Sequence, residues 1–173
     1  MLVAFGASSG GLEAMIAVLQ QLPAAYCLPT VLVLHQRANR ESGVPLMLAR
    51  HTHLRVCEPD DKQRIEAGHL YVAPPNYHLL VEREKIFSLS LDAPVNFSRP
   101  SIDLLLESAA FAYGPSLVAC IMSGANSDGT AGALAVKKRQ GRVYVQSPET
   151  AGISVMPLSV TRQVAVDGIL SPA

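Results

Sequence analysis

Charge is scarce in this sequence, and neither sign is in excess. Only 16% of the 173 residues are charged, and 14 Lys and Arg residues balance 14 Asp and Glu residues. A chain without net charge has no bulk field that would attract nucleic acid or an anionic membrane surface. We therefore expect neither as a partner, so that any recognition of a charged group must be local.

Cysteines and long apolar runs are also few. Cys27, Cys57 and Cys120 are an odd number in apolar surroundings, and no signal-peptide pattern precedes the first apolar segment. No apolar run approaches the roughly 20 residues that span a bilayer. These absences predict a reduced, soluble, cytoplasmic protein without membrane insertion.

Apolar residues, in contrast, are plentiful. They make up 49% of the chain, which is enough for one good hydrophobic core. No repeat, low-complexity tract or linker divides the sequence. We expect residues 1–173 to form a single domain.

Apolar patterning along the chain alternates between strands and helices. Continuous β-branched and aliphatic runs predict strands, and segments of helix formers bounded by Gly or Pro predict helices. The predicted strands cover residues 2–5, 30–34, 54–57, 68–73, 78–82, 85–89, 117–122, 142–146 and 168–170. The predicted helices cover residues 12–21, 45–50, 102–112 and 130–139, and a fifth begins at Leu158.

The order of these elements predicts an α/β fold. Repeated strand–helix alternation favours a mostly parallel, doubly wound sheet with helices on both faces. Segments 78–82 and 85–89 are joined by a short polar link, which is typical of an added antiparallel hairpin. In sheets of this kind, ligands bind at the carboxyl ends of the strands.

A glycine-rich turn, Gly-Ala-Ser-Ser-Gly-Gly at residues 6–11, joins the first strand to the first helix. Its glycines let the backbone turn sharply and approach a ligand. Three interpretations fit the motif alone: a Gly-x-Ser-x-Gly nucleophile turn, a dinucleotide-binding turn and a purely structural turn. In the first, Ser8 is the nucleophile and Ser9 is a capping or supporting hydroxyl, although the two could exchange roles.

The rest of the chain argues against dinucleotide binding. The third glycine of that fingerprint would fall at Leu12, and no acidic or basic ribose-binding residue ends the second strand. None of the five tyrosines is followed by a lysine four residues later. We therefore set the dehydrogenase interpretation aside.

Three residues with complementary chemistry lie just beyond the ends of separate buried strands. They are Ser8, His35 and Asp128, and the fold predicts that they meet at one edge of the sheet. An imidazole can take the proton of a serine hydroxyl, and a carboxylate fixes the imidazole tautomer and stabilises its cation. Backbone N–H groups at the start of the first helix, or in the loop around Gly124, are the candidate donors to an oxyanion.

Each of these residues also has a structural interpretation. A lone histidine at a strand end is usually structural, and Asp128 alone would be read as the N-cap of the helix from Thr130. Arg37 and Arg99 are either surface ion-pair residues or carboxylate-binding groups at the mouth of the site.

A second cluster, His51, His53 and Cys57, has part of the spacing of a zinc site. No further ligand pair accompanies it, so we expect a solvated loop and no metal.

A set of motifs occurs along the chain in a specific order and spacing. It comprises the turn at residues 6–11, His35, Tyr71-Val72-Ala73-Pro74, His78, Arg99-Pro100-Ser101-Ile102-Asp103, Ser123-Gly124, Asp128-Gly129, Gln146 and Met156-Pro157. This set resembles the catalytic domain of the chemotaxis protein-glutamate methylesterases, the CheB family, over nearly the whole chain.

The resemblance implies a triad of Ser8, His35 and Asp128, with Ser9, Gly10, Arg99 and Gly124 as candidate substrate-binding or oxyanion residues. It implies hydrolysis of γ-glutamyl methyl esters on the cytoplasmic helices of chemoreceptors, often with deamidation of receptor glutamines, and no metal or organic cofactor. Family members commonly carry a regulatory receiver domain, which we expect to be absent from these residues or supplied by a separate protein.

The sequence departs from the family pattern in three places. Residues 36–37 are Gln-Arg in place of Met-Pro, residues 123–126 are Ser-Gly-Ala-Asn in place of Thr-Gly-Met-Gly, and Val155 replaces a glycine. These departures bear on substrate fit and efficiency, not on the presence of the catalytic groups. Two other functions stay open: a non-catalytic module that binds a receptor segment or signalling partner, and an esterase for a small molecule or another protein.

Overall fold

Strands and helices alternate along the computed structural model, which describes residues 1–35 and 43–172. The strands are β1 (Leu2–Ala7), β2 (Thr30–Leu34), β3 (Arg55–Cys57), β4 (His69–Val72), β5 (His78–Val81), β6 (Phe87–Ser90), β7 (Leu117–Ile121), β8 (Arg142–Gln146) and β9 (Gly168–Leu170). The α-helices are α1 (Gly11–Gln20), α2 (Val44–Leu48), α3 (Ile102–Tyr113), α4 (Thr130–Lys138) and α5 (Val155–Gln163).

Seven of these strands form one parallel sheet. Their order is β3-β4-β2-β1-β7-β8-β9, and every neighbouring pair runs in the same direction. From β1 the chain builds outward through β2 on one side, and it later returns to place β7 on the other side. The carboxyl end of β1 is therefore the switch point of the sheet, where open α/β sheets bind their ligands.

Helices cover both faces of the sheet. Side chains alternate across β1, so that Leu2 and Ala4 pack into one core while Val3 and Phe5 pack into the other. Helices α3, α4 and α5 and the antiparallel β5–β6 hairpin cover the first face, and α1 and α2 cover the second. The predicted α/β class, parallel sheet and added hairpin are confirmed.

Two predicted boundaries were wrong for identifiable reasons. Helix α5 begins at Val155, three residues before the predicted start at Leu158, because Pro157 lies in the first turn, where its missing N–H is not needed. Strand β6 begins at Phe87 rather than at Lys85, because Lys85 has a φ of +58° and belongs to the hairpin turn. No helix within the described ranges is long and apolar enough to cross a bilayer.

Candidate active site

The glycine-rich turn begins at Ser8, directly after β1. The Ser8 N–H donates to the Ser123 carbonyl at 2.8 Å, and the Gly11 N–H donates to the Ser8 carbonyl at 2.9 Å. Gly10 is the N-cap of α1 with a φ of +77°, a conformation that favours glycine, and no side chain caps this helix. Ser9 was expected to be a capping or supporting hydroxyl; it does not cap the helix, and its side chain is exposed at the rim.

Strand register places Ser8 beside His35. Ala7 pairs with Leu34 in the parallel β1–β2 ladder, and the His35 N–H donates to the Ala7 carbonyl at 3.0 Å. Ser8 and His35 are thus the next residues on strands that lie about 4.8 Å apart. No hydrogen bond joins the Ser8 hydroxyl to His35 among the residues that the structure describes, and catalytic bonds of this kind are often long without substrate.

The imidazole of His35 is paired with Asp128. His35 Nε2 lies 2.8 Å from Asp128 Oδ2, which fixes the ring and assigns the Nε2 proton to this bond. Nδ1 is then the ring nitrogen that can accept a proton. The hydroxyl of Ser98 lies 3.4 Å from Nδ1 and faces this nitrogen.

Asp128 is completely buried against the N-terminus of α3. Its Oδ2 accepts from the Ile102 N–H at 2.7 Å, while Oδ1 accepts from the Asp103 N–H at 3.1 Å and from the Ser101 hydroxyl at 3.0 Å. The first N–H groups of a helix have no intrahelical acceptor, and the helix dipole favours a negative charge there. The start of α3 therefore holds the carboxylate in place.

These contacts correct the structural interpretation of Asp128. The N-cap of α4 is Gly129, with a φ of +96°, and no side chain caps that helix, because the Asp128 carboxylate is directed to α3. Burial raises the pKa of Asp128, but the hydrogen bonds from His35 and from the backbone of α3 outweigh burial and lower the pKa to about 2. Asp128 is therefore a carboxylate at neutral pH.

Two further residues of the site, Asn96 and Asp103, were not singled out by sequence reasoning. The Asn96 amide donates to Asp103 Oδ2 at 3.0 Å and to Asp128 Oδ1 at 3.4 Å, so it bridges the two carboxyl groups. Burial and the adjacent Asp128 charge raise the pKa of Asp103 to about 6, although its Oδ1 accepts from the Gly132 N–H at 2.7 Å. Asp103 lies within the Arg-Pro-Ser-Ile-Asp motif, but no local pattern at Asn96 indicates this contact.

The candidate oxyanion donors differ in availability. The Gly124 N–H donates to the Ile153 carbonyl at 3.0 Å and is therefore occupied in this structure. The N–H groups of Ser9 and Gly10 have no acceptor among the described residues. These two groups directly follow Ser8, which is where a hydrolase needs donors to the oxyanion.

Gly124 has a different role, which is steric. A Cβ at this position would lie 2.5 Å from Met156 Cε and 3.0 Å from Ser8 Cβ. A side chain here would require the end of Met156 to move and Ser8 to shift by a few tenths of an ångström.

Arg99 lies at the mouth of the site but is committed to a neighbouring loop. Its Nη1 donates to the carbonyls of Leu91 and Asp92 at 2.9 and 3.1 Å. Arg99 also lines a cavity of about 220 Å³ next to His35.

Arg37 and the Gln36-Arg37 departure lie outside the described residues, whereas the departures Ala125 and Val155 are exposed.

The histidines of the partial zinc motif have separate partners. His51 Nδ1 lies 3.1 Å from Gln20 Nε2, and His53 Nε2 lies 2.8 Å from the Tyr26 carbonyl. Within residues 1–35 and 43–172, no group of three or more His, Cys, Asp or Glu side chains is arranged to hold a metal.

Comparison with known proteins agrees with this architecture. The crystal structure of the Thermotoga maritima CheB methylesterase catalytic domain matches with a TM-score of 0.93 and 30% identity, covering 99% of this chain and 92% of that one. A Leptospira interrogans protein, provisionally named a protein-glutamate methylesterase/protein-glutamine glutaminase, is 42% identical over 98% of this chain and 88% of its own length. The Myxococcus xanthus protein-glutamate methylesterase FrzG is 32% identical over 98% of this chain and 51% of its own length. The CheB methylesterase model matches residues 3–173, and the chain belongs to this family.

Proposed function

We propose that this chain hydrolyses γ-glutamyl methyl esters on the cytoplasmic segments of chemoreceptors, using Ser8, His35 and Asp128. The observation that carries the proposal is the 2.8 Å pair of His35 Nε2 with the buried Asp128 carboxylate, beside Ser8 at the switch point of the sheet. Family membership and relatives named protein-glutamate methylesterases support the substrate.

The chemistry is acyl transfer through a covalent intermediate. The Ser8 oxygen attacks the ester carbonyl while the Ser8 proton passes to His35 Nδ1. The tetrahedral intermediate then expels methoxide, which takes that proton from Nδ1 and leaves as methanol. Water attacks the resulting acyl-serine with His35 again as base, and this step releases the glutamate carboxylate and restores the Ser8 hydroxyl.

Asp128 and the glycine-rich turn stabilise the charges that develop. The Asp128 carboxylate keeps the imidazole proton on Nε2 and stabilises the imidazolium. The N–H groups of Ser9 and Gly10 are the proposed donors to the oxyanion. The same groups would expel ammonia from a glutamine side chain, so receptor deamidation is part of the proposal.

Ser8 is favoured over Ser98 as the nucleophile. Ser98 lies near His35 Nδ1, but only one N–H group, that of Arg99, directly follows it, because the next residue is Pro100, which has no N–H. Ser8 is followed directly by two such groups.

Methanol release from a methylated receptor fragment tests the proposal with three matched serine-to-alanine variants. Ser8→Ala should lower kcat by at least 10³-fold, because no nucleophile remains. Ser9→Ala and Ser98→Ala should lose less than tenfold, because the first keeps its backbone N–H and the second leaves Ser8 in place. Loss of activity in Ser98→Ala alone would transfer the nucleophile role to Ser98.

Location and control of the enzyme complete the proposal. We place it in the cytoplasm, where the receptor segments are exposed, and we expect a phosphorylatable receiver domain or a separate receiver protein to control access to Ser8. Fractionation of cells expressing the protein, and methanol release with and without a phosphorylated receiver, would test these two points.

A further inference from the structure

A tight turn at Val95–Ser98, here named the docking turn, lies at the mouth of the site. The N–H of Val95 donates to the Ser98 carbonyl at 3.1 Å, and the N–H of Ser98 donates back to the Val95 carbonyl at 2.9 Å. The two central residues, Asn96 and Phe97, have φ values of +49° and +61°. Two-residue turns with positive φ at both positions favour Asn followed by Gly. Phe97 occupies the position that favours glycine.

The fold does not account for this phenylalanine. Its exposure is 104%, so the ring contributes no buried apolar area to the described structure. A bulky side chain with positive φ is also uncommon, because the left-handed region disfavours a Cβ. Residues that break a local rule without a packing gain are concentrated at functional sites.

The inner side of the docking turn is anchored to the catalytic groups. The Asn96 amide bridges Asp103 and Asp128, and the Ser98 hydroxyl lies 3.4 Å from His35 Nδ1. The turn therefore contacts Asp128 and His35 on one side and presents Phe97 to solvent on the other. Its tip has a defined position relative to the reacting atoms.

Phe97 and His35 also line one cavity, of about 220 Å³. Pro94 and Pro100 add apolar surface to its wall, and Asn76 and Ser98 add uncharged polar groups, alongside Arg99. The glutamyl methyl ester is itself uncharged, with an apolar methyl group and a polar carbonyl. Because His35 lines this cavity, its wall is adjacent to the catalytic base and is available to a protein segment that carries the ester.

We propose that the docking turn is the substrate-recognition element of the enzyme, and that Phe97 packs against an apolar side chain flanking the glutamyl ester on the receptor segment. This inference rests on the proposed function. In a helical segment the flanking residue lies three or four positions from the ester, and it projects from the same face about 5–6 Å away. Phe97 then selects protein esters over small esters.

The test compares two substrates. One is a methylated receptor fragment, followed by methanol release, and the other is p-nitrophenyl acetate, which reaches Ser8 without a flanking segment. Phe97→Ala should lower kcat/KM for the receptor about tenfold more than kcat/KM for the small ester, mainly through a higher KM. Phe97→Leu should restore part of this difference, because an apolar contact returns.

Phe111→Ala is the matched control, because Phe111 is an exposed phenylalanine near the far end of α3, roughly 14 Å along the helix from Ile102. It should leave the ratio of the two kcat/KM values unchanged. Phe97→Gly keeps the turn conformation free of strain, so it should be at least as stable as Phe97→Ala and show the same loss on the receptor.

The outcomes separate this inference from the function it rests on. Equal losses on both substrates, or a receptor loss below twofold in Phe97→Ala, would overturn the docking role while leaving the methylesterase assignment intact. A wild-type protein that releases no methanol from the receptor would overturn both.

Discussion

Replacing Asp128 with asparagine removes one charge and almost no volume, and the structure determines where the new amide group goes. At the Oδ1 position an NH2 group would face two backbone donors, the N–H groups of Asp103 and Gly129, each at 3.1 Å. At the Oδ2 position it would face one, the Ile102 N–H at 2.7 Å. The amide should therefore settle with its NH2 at the Oδ2 position, beside His35.

That orientation reverses the tautomer of the His35 imidazole. The NH2 group donates to His35 Nε2, so the ring proton moves to Nδ1, which is the nitrogen that must accept the Ser8 proton. An inverted tautomer of this kind costs about 10⁴-fold in kcat in a related arrangement, and we expect a loss of 10³–10⁴-fold here.

Stability should fall at the same time. One buried backbone N–H loses its acceptor, which costs about 1–3 kcal/mol. The fall in the pKa of Asp128 from 3.8 to about 2 adds a charge-state contribution of about 2 kcal/mol at neutral pH, which the amide cannot supply. Because the folded-state pKa is the lower one, this contribution is present above about pH 4 and is lost as the pH falls through about 2.

The assay is methanol release from methylated receptor, with kcat and KM resolved and unfolding followed by urea denaturation. Asp167→Asn is the matched control. Asp167 pairs with Lys137 on α4 and accepts from the Val143 N–H on β8, and it has no contact with His35 among the described residues. This variant should keep wild-type kcat. If Asp128→Asn kept more than a tenth of the wild-type kcat while the control behaved as expected, the tautomer argument would be refuted.

Three further changes test neighbouring parts of the account. As the pH rises from 4 to 6, the free energy of unfolding of Asp103→Asn should fall by roughly 2–3 kcal/mol less than that of the wild type. The reason is that the folded-state pKa of Asp103 is raised to about 6, so that the wild type loses a stabilising contribution as this carboxyl ionises. A pH series of urea titrations measures the difference, and parallel curves would contradict it. Gly124→Ala should lower kcat more than tenfold, because the new Cβ would meet Met156 and displace Ser8, which the same methanol assay detects; unchanged kcat would show that the loop has room. Phe87→Ala should lower the free energy of unfolding by about 3–5 kcal/mol, because this completely buried ring joins the hairpin to the core; a loss below 1 kcal/mol in urea denaturation would show that the hairpin contributes little.

Local patterns predicted most of the architecture. The run Thr-Val-Leu-Val-Leu at residues 30–34 matches β2 residue for residue, because β-branched and aliphatic side chains suit a strand buried on both faces. The helix predicted over residues 102–112 matches α3 to within one residue, and the Ser101 hydroxyl accepts from the Leu104 N–H at 3.4 Å as its N-cap. These features depend on residues close in sequence.

The contacts that define the site depend on residues far apart in sequence. Asp128 and His35 are separated by 93 positions, and the rule that strand ends meet at one edge placed them together without giving the ring nitrogen involved. Local reasoning also assigned Asp128 to α4, the next helix, whereas the topology brings the start of α3 nearer to its carboxylate. The Asn96 bridge had no signal at all, because it depends on a left-handed turn that Asn-Phe does not predict.

Some expectations remain predictions. The catalytic roles of Ser8, His35 and Asp128, the single-domain assignment of residues 1–173 and the substrate contacts of Arg99 await experiment. The effect of Gln36-Arg37 on activity belongs with them.

The most direct test of the central claim is the site of covalent labelling by a fluorophosphonate, which reacts with a serine only when a neighbouring base activates it. The protein would be treated with the probe, digested, and mapped by peptide mass spectrometry, with His35→Ala as the control. We predict one adduct, on Ser8, that disappears in His35→Ala. An adduct on Ser98 or Ser9 instead, or no adduct on a protein that still binds methylated receptor, would contradict the account.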